Sequence, residues 1–304
     1  MEWNKIWADA HNRKEKNTGV EFWNRKAKHF RKGRELGVYE RNFFKLAEIP
    51  DKATIFDMGC GAGTLTLPLA AEGHEVYAGD FSPVMLDILR EEAKDRGLED
   101  KIHIFHMNWN EDWEQFDIPV CDVAISSRSL IVEDLGLGLK KLASKAKEKV
   151  CIVSGTAVSP HINTKLANEI GFKDIPSGNY HLIMQALLDM GIMPRLEYIN
   201  SDRKDRFDSR EDCFEKMSTK YFPRQLTEEE LDRLISYNVE HLVQHNDEDG
   251  NSYFEYDEVW PVLWAFMSWN KSEQLPADVR ALWRLTSDNA DDTCKYEDKK
   301  VMDK

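Results

Sequence analysis

With 304 residues, 41% of them hydrophobic, the chain has room for one large domain or two small ones around a substantial core. Its formal charge of −14, from 55 acidic against 41 basic residues, is a poor match for a long phosphate backbone and disfavours nucleic acid as the main partner. Five cysteines without a C-x-x-C pair support neither a disulfide framework nor a structural zinc site. No apolar run is long enough to span a bilayer, and the opening MEWNKIWADAHNRKEK has no apolar leader core, so the expected setting is cytoplasmic.

Residues 1–50 read as an N-terminal helical cap. Trp3 and Trp7, four apart, share a helical face. Residues 20–32 form an amphipathic helix with Phe22, Trp23, Ala27 and Phe30 inward. Its other side carries Arg25, Lys26, Lys28, Arg31 and Lys32, with Arg34 just beyond, which is the one basic patch of the chain. A solvated helix face is the simpler account of that patch, and an RNA or phosphate contact the sharper one. A further helix at 36–48 ends at Pro50-Asp51.

From residue 53 the pattern alternates. Strands are expected at 53–57, 75–79, 101–107, 121–126 and 149–154, with helices at 63–72, 82–96 and 133–146 between them. Ser82 is an N-cap with Pro83 in the first helical position. Helix 181–190 and strand 194–200 continue the alternation after a looser stretch at 155–180. This is an α/β pattern, with a parallel sheet and helices on both faces. Residues 201–258 read as an inserted helical cap, with helices near 209–218 and 227–244, the second opened by the capping box Thr227-Glu228-Glu229-Glu230. Val259–Trp269 supplies the last buried strand, and 271–304 is a charged C-terminal tail. The α/β core thus comprises 51–200 and 259–270.

The informative stretch is Ala53–Asp80. A short apolar run ends in Asp57. The turn Gly59-Cys60-Gly61-Ala62-Gly63 follows, then a helix, then a strand ending in Asp80. Strand, glycine turn, helix, strand and acid make a nucleotide-binding βαβ layout, in which the turn is expected to offer free backbone N–H groups. A dinucleotide fingerprint has G-x-G-x-x-G; here the third glycine comes one position early. The carboxylate of Asp57 would repel a pyrophosphate and suits a ligand bearing an ammonium group. The spacing therefore disfavours a dehydrogenase.

Acid, G-x-G-x-G, helix, strand and acid together resemble motif I of the class I S-adenosylmethionine-dependent methyltransferases. The resemblance covers 36–200 well and 259–269 loosely, and extends to many uncharacterised bacterial and archaeal small-molecule enzymes. It implies a seven-stranded Rossmann-like sheet whose last strand inserts antiparallel between the fifth and sixth. It also implies S-adenosyl-L-methionine as co-substrate. Asp57 would orient the ammonium of its amino-acid tail, Gly59, Cys60, Gly61 and Gly63 would line it, Asp80 would hold the ribose hydroxyls, and Phe81 would pack on the adenine. Asn108-Trp109 stands where the family often has an acid accepting from the adenine amino group. Ser126 and Ser127 would lie next to the methyl group.

Acceptor-side candidates are Arg128, which could hold a carboxylate, and His161, Tyr180 and His181 after the fifth strand. The bland alternative for His161 is a surface loop histidine, and for Arg128 a structural salt bridge. His103 and His106 alternate with apolar residues and read as structural. His241 and His245, four apart on an expected helix before Asp247, Glu248 and Asp249, suit metal ligation by spacing, but a solvated helix end is favoured and no metal is expected. The fourth strand ends in SSRSL, which lacks the Asn/Asp-Pro-Pro-Tyr loop of amino-methylating enzymes, and no catalytic cysteine follows it. The reading is methyl transfer to a small-molecule acceptor. RNA or protein methylation through the basic helix, or a cofactor-binding protein that performs no transfer, stand as alternatives. A homodimer is compatible with the sequence.

Overall fold

The fourth strand is buried along nearly all its length and the first is buried from its second residue, because both lie inside a sheet with helices on each face. In this computed structural model, residues 2–14, 19–27, 36–156, 164–174, 178–203, 205–219, 222, 224–247 and 250–273 are described. His161, the basic residues 28–34 and the C-terminal tail lie outside them, as do the side chains of Arg25 and Lys26.

Five strands run parallel: β1 (Thr54–Met58), β2 (Glu75–Asp80), β3 (Ile102–His106), β4 (Cys121–Ser127) and β5 (Ala146–Gly155). β6 (Arg195–Arg203) and β9 (Trp260–Asn270) complete the sheet in the order β3-β2-β1-β4-β5-β9-β6. β9 is antiparallel to both its neighbours, with Val153 opposite Phe266 and Tyr198 opposite Ala265. This is the seven-stranded Rossmann-like topology that the resemblance implies.

Alternate residues feed two cores. Phe56, Val150, Ile152 and Met267 point to one face, where α1 (Glu2–Lys14), α6 (Leu135–Ser144) and α8 (Tyr180–Asp189) pack. Ile55, Val76, Val123 and Phe266 point to the other, against α3 (Val38–Ala47), α4 (Thr66–Ala71) and α5 (Pro83–Asp95). Trp3 and Trp7 are both buried, as their shared face implies. Their indole N–H groups donate to Asp189 Oδ2 at 2.6 Å and to the Val132 carbonyl at 2.7 Å. The first helix is thus tied to the loop after β4. α2 (Val20–Ala27) places Ala27 against Ala62 and Met85, over the glycine turn.

A third core lies outside the sheet. Leu166 and Phe172, around α7 (Thr164–Glu169), pack with Phe207, Cys213 of α9 (Arg210–Thr219), Leu234 of α10 (Glu228–His241), Tyr256 and Trp260. The capping box of α10 is formed, with Thr227 and Glu230 bonded reciprocally. Here the expected helix 227–244 is corrected. The helix stops at His241, and β7 (Leu242–Asn246) pairs antiparallel with β8 (Ser252–Tyr256) as a two-stranded sheet. Leu242 keeps helical spacing from Leu234 and Asn238, so the apolar pattern ran on. Its side chain instead packs beside Tyr256, and the turn Asp247–Asn251, with Gly250 at φ +83°, closes a hairpin.

Candidate active site

The carboxyl ends of β1, β2 and β4 converge on the glycine turn, the end of such a sheet where ligands bind. Gly59 sits at φ +83°, and a Cβ there would lie 2.2 Å from Ser129 Cβ. Glycine is required because the loop after β4 presses on the turn. Gly61, at φ +55°, has nothing within 4 Å of the place a Cβ would occupy. It is the member of the turn that faces open space, where a ligand can lie against bare backbone.

The turn does not offer the free N–H groups expected of it. Gly59 and Cys60 both donate to the Gly79 carbonyl, at 2.7 and 3.1 Å, and Gly63 donates to Cys60 at 3.0 Å. Gly61 N–H donates to Asp80 Oδ2 at 2.9 Å. With these donors turned inward, the turn is a poor cradle for a pyrophosphate, whose oxygens need them. It presents carboxylates instead.

Asp80 accepts from Gly61 on one oxygen and from Ser82 N–H on the other, at 2.8 Å. Each oxygen keeps a lone pair, enough for two further hydroxyl donors. Burial raises its pKa, against the lowering effect of these backbone bonds. Asp57 lies at the end of β1, 2% exposed, and accepts from Thr66 Oγ1 at 2.7 Å. Burial lifts its pKa to about 7, opposed by the Thr66 bond and reinforced by the charge of Asp80. A buried carboxylate at that pKa is poised to gain from a cationic ligand. Cys60 is buried and its thiol is pushed well up, so it is no nucleophile.

Phe81 is half-buried beside Asp80, with its carbonyl bonded to His106 Nε2 at 3.1 Å. Asn108 is exposed, and its side-chain oxygen caps its own turn, accepting from Asn110 and Glu111 N–H at 2.8 and 3.1 Å. Trp109 is buried against Trp113, with its indole N–H on the Ser129 carbonyl at 2.8 Å. Both hold the wall of the cleft in shape. Ser126 is fully buried and meets Ser129 Oγ at 3.0 Å, and Ser129 donates to Met58 at 2.8 Å. The serine pair therefore locks β4 to the glycine turn.

On the acceptor side, Arg128 is exposed in the left-handed region at φ +60°, its N–H on the Val153 carbonyl at 2.9 Å. Its guanidinium lies 4.1 Å over the Tyr39 ring and 5.3 Å from that of Trp264. Tyr180 is half-buried and hydrogen-bonded to Tyr198. His181 Nδ1 meets the Gly178 carbonyl at 2.9 Å. His103 lies on Glu75 at 2.8 Å and stacks on Tyr77, in keeping with a structural role. His241 and His245 fall on different elements, the end of α10 and β7. His241 pairs with Asp257 at 3.2 Å, near Glu258. Both Glu258 oxygens are held by Lys165, so that group is a salt-bridged surface cluster. Sequence reasoning did not single out Thr66, Ser129, Trp264 or Asn24, whose side chain takes a hydrogen bond from Ser82 Oγ at 2.7 Å. These are polar or aromatic residues whose roles depend on strands far apart in the chain.

Residues 55–158 match the family described as methyltransferase domain. An uncharacterised protein of Haemophilus influenzae is 33% identical over 165 residues, 54% of this chain and 60% of that one. A probable ribosomal RNA small subunit methyltransferase A of Methanosphaera stadtmanae is 44% identical over 46 residues, 15% of this chain and 17% of that one. Among solved structures, precorrin 8w decarboxylase of Methanobacterium thermoautotrophicum shares 17% identity at a TM-score of 0.43, over 75% of this chain and 87% of that one. The match thus spans 60% or less of the length of these curated relatives. The region 55–158 is thus similar to a methyltransferase domain. The co-substrate of such a domain is S-adenosyl-L-methionine, and the residues present fit it. Gly61 leaves room, Asp80 has acceptor capacity for a ribose, and Asp57 would meet the ammonium. No helix among the described residues is long and apolar enough to cross a membrane.

Proposed function

We propose that the protein transfers a methyl group from S-adenosyl-L-methionine to a small-molecule acceptor. The observation that carries this reading is the inward-turned glycine loop flanked by two buried acids, Asp57 and Asp80. When bound, the co-substrate supplies an electrophilic methyl group on a sulfonium, already a good leaving group. The chain's own task is then to position and to exclude water. Asp57 holds the ammonium end, Gly61 allows backbone contact, Asp80 takes the ribose hydroxyls and Phe81 covers the base. The acceptor enters over the ends of β4 and β5, where Arg128 and Tyr180 stand. A proton is removed only if the nucleophile carries one it must lose.

Calorimetry with S-adenosylhomocysteine tests the reading. Asp80→Ala is expected to weaken binding at least about tenfold, roughly 1.4 kcal/mol, with the circular dichroism spectrum unchanged. A folded variant that binds as well as the parent would remove the ribose assignment. An RNA acceptor is the second reading, supported by the ribosomal RNA named for the Methanosphaera relative. The charge of −14 weighs against it, and RNA retention that falls steeply with salt would argue for it.

A further inference from the structure

Every other arginine whose side chain is described donates to an acceptor. Arg96 donates to Glu92, Arg206 to Glu255, Arg224 to Asp174 and Glu230, and Arg210 to two backbone carbonyls. Arg41, Arg90, Arg195 and Arg233 do likewise. Arg128 has no acceptor for its guanidinium among the described residues, in a chain with 55 acids to choose from.

The side chain is nonetheless fixed. Its Cζ lies 4.1 Å over the Tyr39 ring and 5.3 Å from the Trp264 ring, in the corner formed where these two rings meet edge to face at 6.1 Å. The ring contacts use none of its N–H groups, which form a planar fork that matches a carboxylate bidentately. The backbone is held at φ +60°, a conformation that a long side chain avoids, by the bond to Val153. Strain kept for a side chain with no partner in the fold directs attention to a ligand.

Position points the same way. Tyr39 hydroxyl meets Ser127 Oγ at 2.6 Å, and the next residue after Arg128, Ser129, is the one that presses on Gly59. The platform therefore borders the Asp57 end of the cleft, where the amino-acid tail of the co-substrate is placed. We infer that Arg128, seated against Tyr39 and Trp264, binds the methyl acceptor and that the acceptor carries a carboxylate; the inference rests on the methyltransferase reading. A carboxylate fits better than a phosphate. The fork supplies one positive charge. A dianion would also face Asp57, whose charge is felt at the Tyr39 beside Arg128.

The test uses the full chain saturated with S-adenosylhomocysteine, followed by thermal unfolding at constant ionic strength with succinate, succinamide or inorganic phosphate. Succinate is expected to raise the unfolding temperature more than succinamide does. Arg128→Gln should abolish that difference while binding S-adenosylhomocysteine within about twofold of the parent. Arg128→Lys, which keeps the charge and loses the planar fork, should retain part of it. A succinate difference that survives in Arg128→Gln overturns the inference, as does a response to phosphate alone. If the parent fails to bind S-adenosylhomocysteine, the methyltransferase reading falls instead. The succinate comparison on the same protein then still decides the role of Arg128.

Discussion

The cofactor end and the lobe built around Phe207 and Tyr256 are held together by opposite means. At the cofactor end, backbone and short side chains bind one another across three segments. Gly59 and Cys60 reach Gly79, Gly61 reaches Asp80, and Ser129 reaches Met58. In the lobe, aromatic rings fill a core of their own, and Tyr237 hydroxyl and Trp260 Nε1 are buried without a hydrogen-bond partner among the described residues. A polar lattice fixes atoms to a few tenths of an ångström but tolerates no change of size. An apolar core is held by volume, and admits substitutions of similar bulk. The end around the glycine turn has the first design, and the lobe has the second.

The sharpest way to break the contrast is Gly59→Ala. With a Cβ 2.2 Å from Ser129 and a positive φ, it is expected to cost about 3 kcal/mol or more in urea unfolding. Gly61→Ala, two residues away and facing open space, is expected to cost only about 1 kcal/mol of strain while still weakening S-adenosylhomocysteine binding. Equal losses of stability in the two would mean that the turn is not wedged by the β4 loop.

Asp57 gives the next effect. Its folded pKa of about 7 lies above its ordinary value. The stability it contributes is therefore full below about pH 4 and is lost as pH rises through about 7. Ligand binding runs the other way, because an ammonium group selects the ionised form. S-adenosylhomocysteine affinity is expected to rise about tenfold per pH unit up to that pKa and then level off. Asp57→Asn should flatten the profile; a parallel slope in the variant would assign the titration elsewhere. The smallest effect belongs to the lobe. Thr227→Ala removes half of a capping box and should cost about 1 kcal/mol in unfolding, with S-adenosylhomocysteine affinity unchanged. A fall in affinity would show that the two regions are energetically joined.

The sheet was readable because its information is local. Ser82-Pro83 starts a helix, apolar runs mark strands, and Asp57 with G-x-G-x-G marks the cleft. The antiparallel insertion of β9 followed only from resemblance, since nothing in residues 260–270 encodes which strands they separate. The β7–β8 hairpin escaped because Leu242 satisfies helical and strand spacing alike, and only its pairing with Tyr256 decides between them. Asn108, Trp109 and Ser126 were assigned to the cleft by resemblance alone. Their side chains proved to be engaged with the protein itself, which depends on Glu111, Ser129 and Trp113 coming together in three dimensions. The N–H groups of the glycine turn were mistaken for free donors for the same reason, because Gly79 lies on another strand.

The place of β9 also orders the protein's manufacture. β5 and β6 are never neighbours; the slot between them is filled by Trp260–Asn270, after the whole of 204–259 has been made. On the ribosome, a nascent chain that has released six sheet strands carries β5 with one edge unpaired and β6 with no strand partner. The glycine turn between β1 and β2 can close early, since its bonds use only residues 57–82 and the β4 loop. The sheet itself is finished only when its antiparallel strand arrives from the exit tunnel.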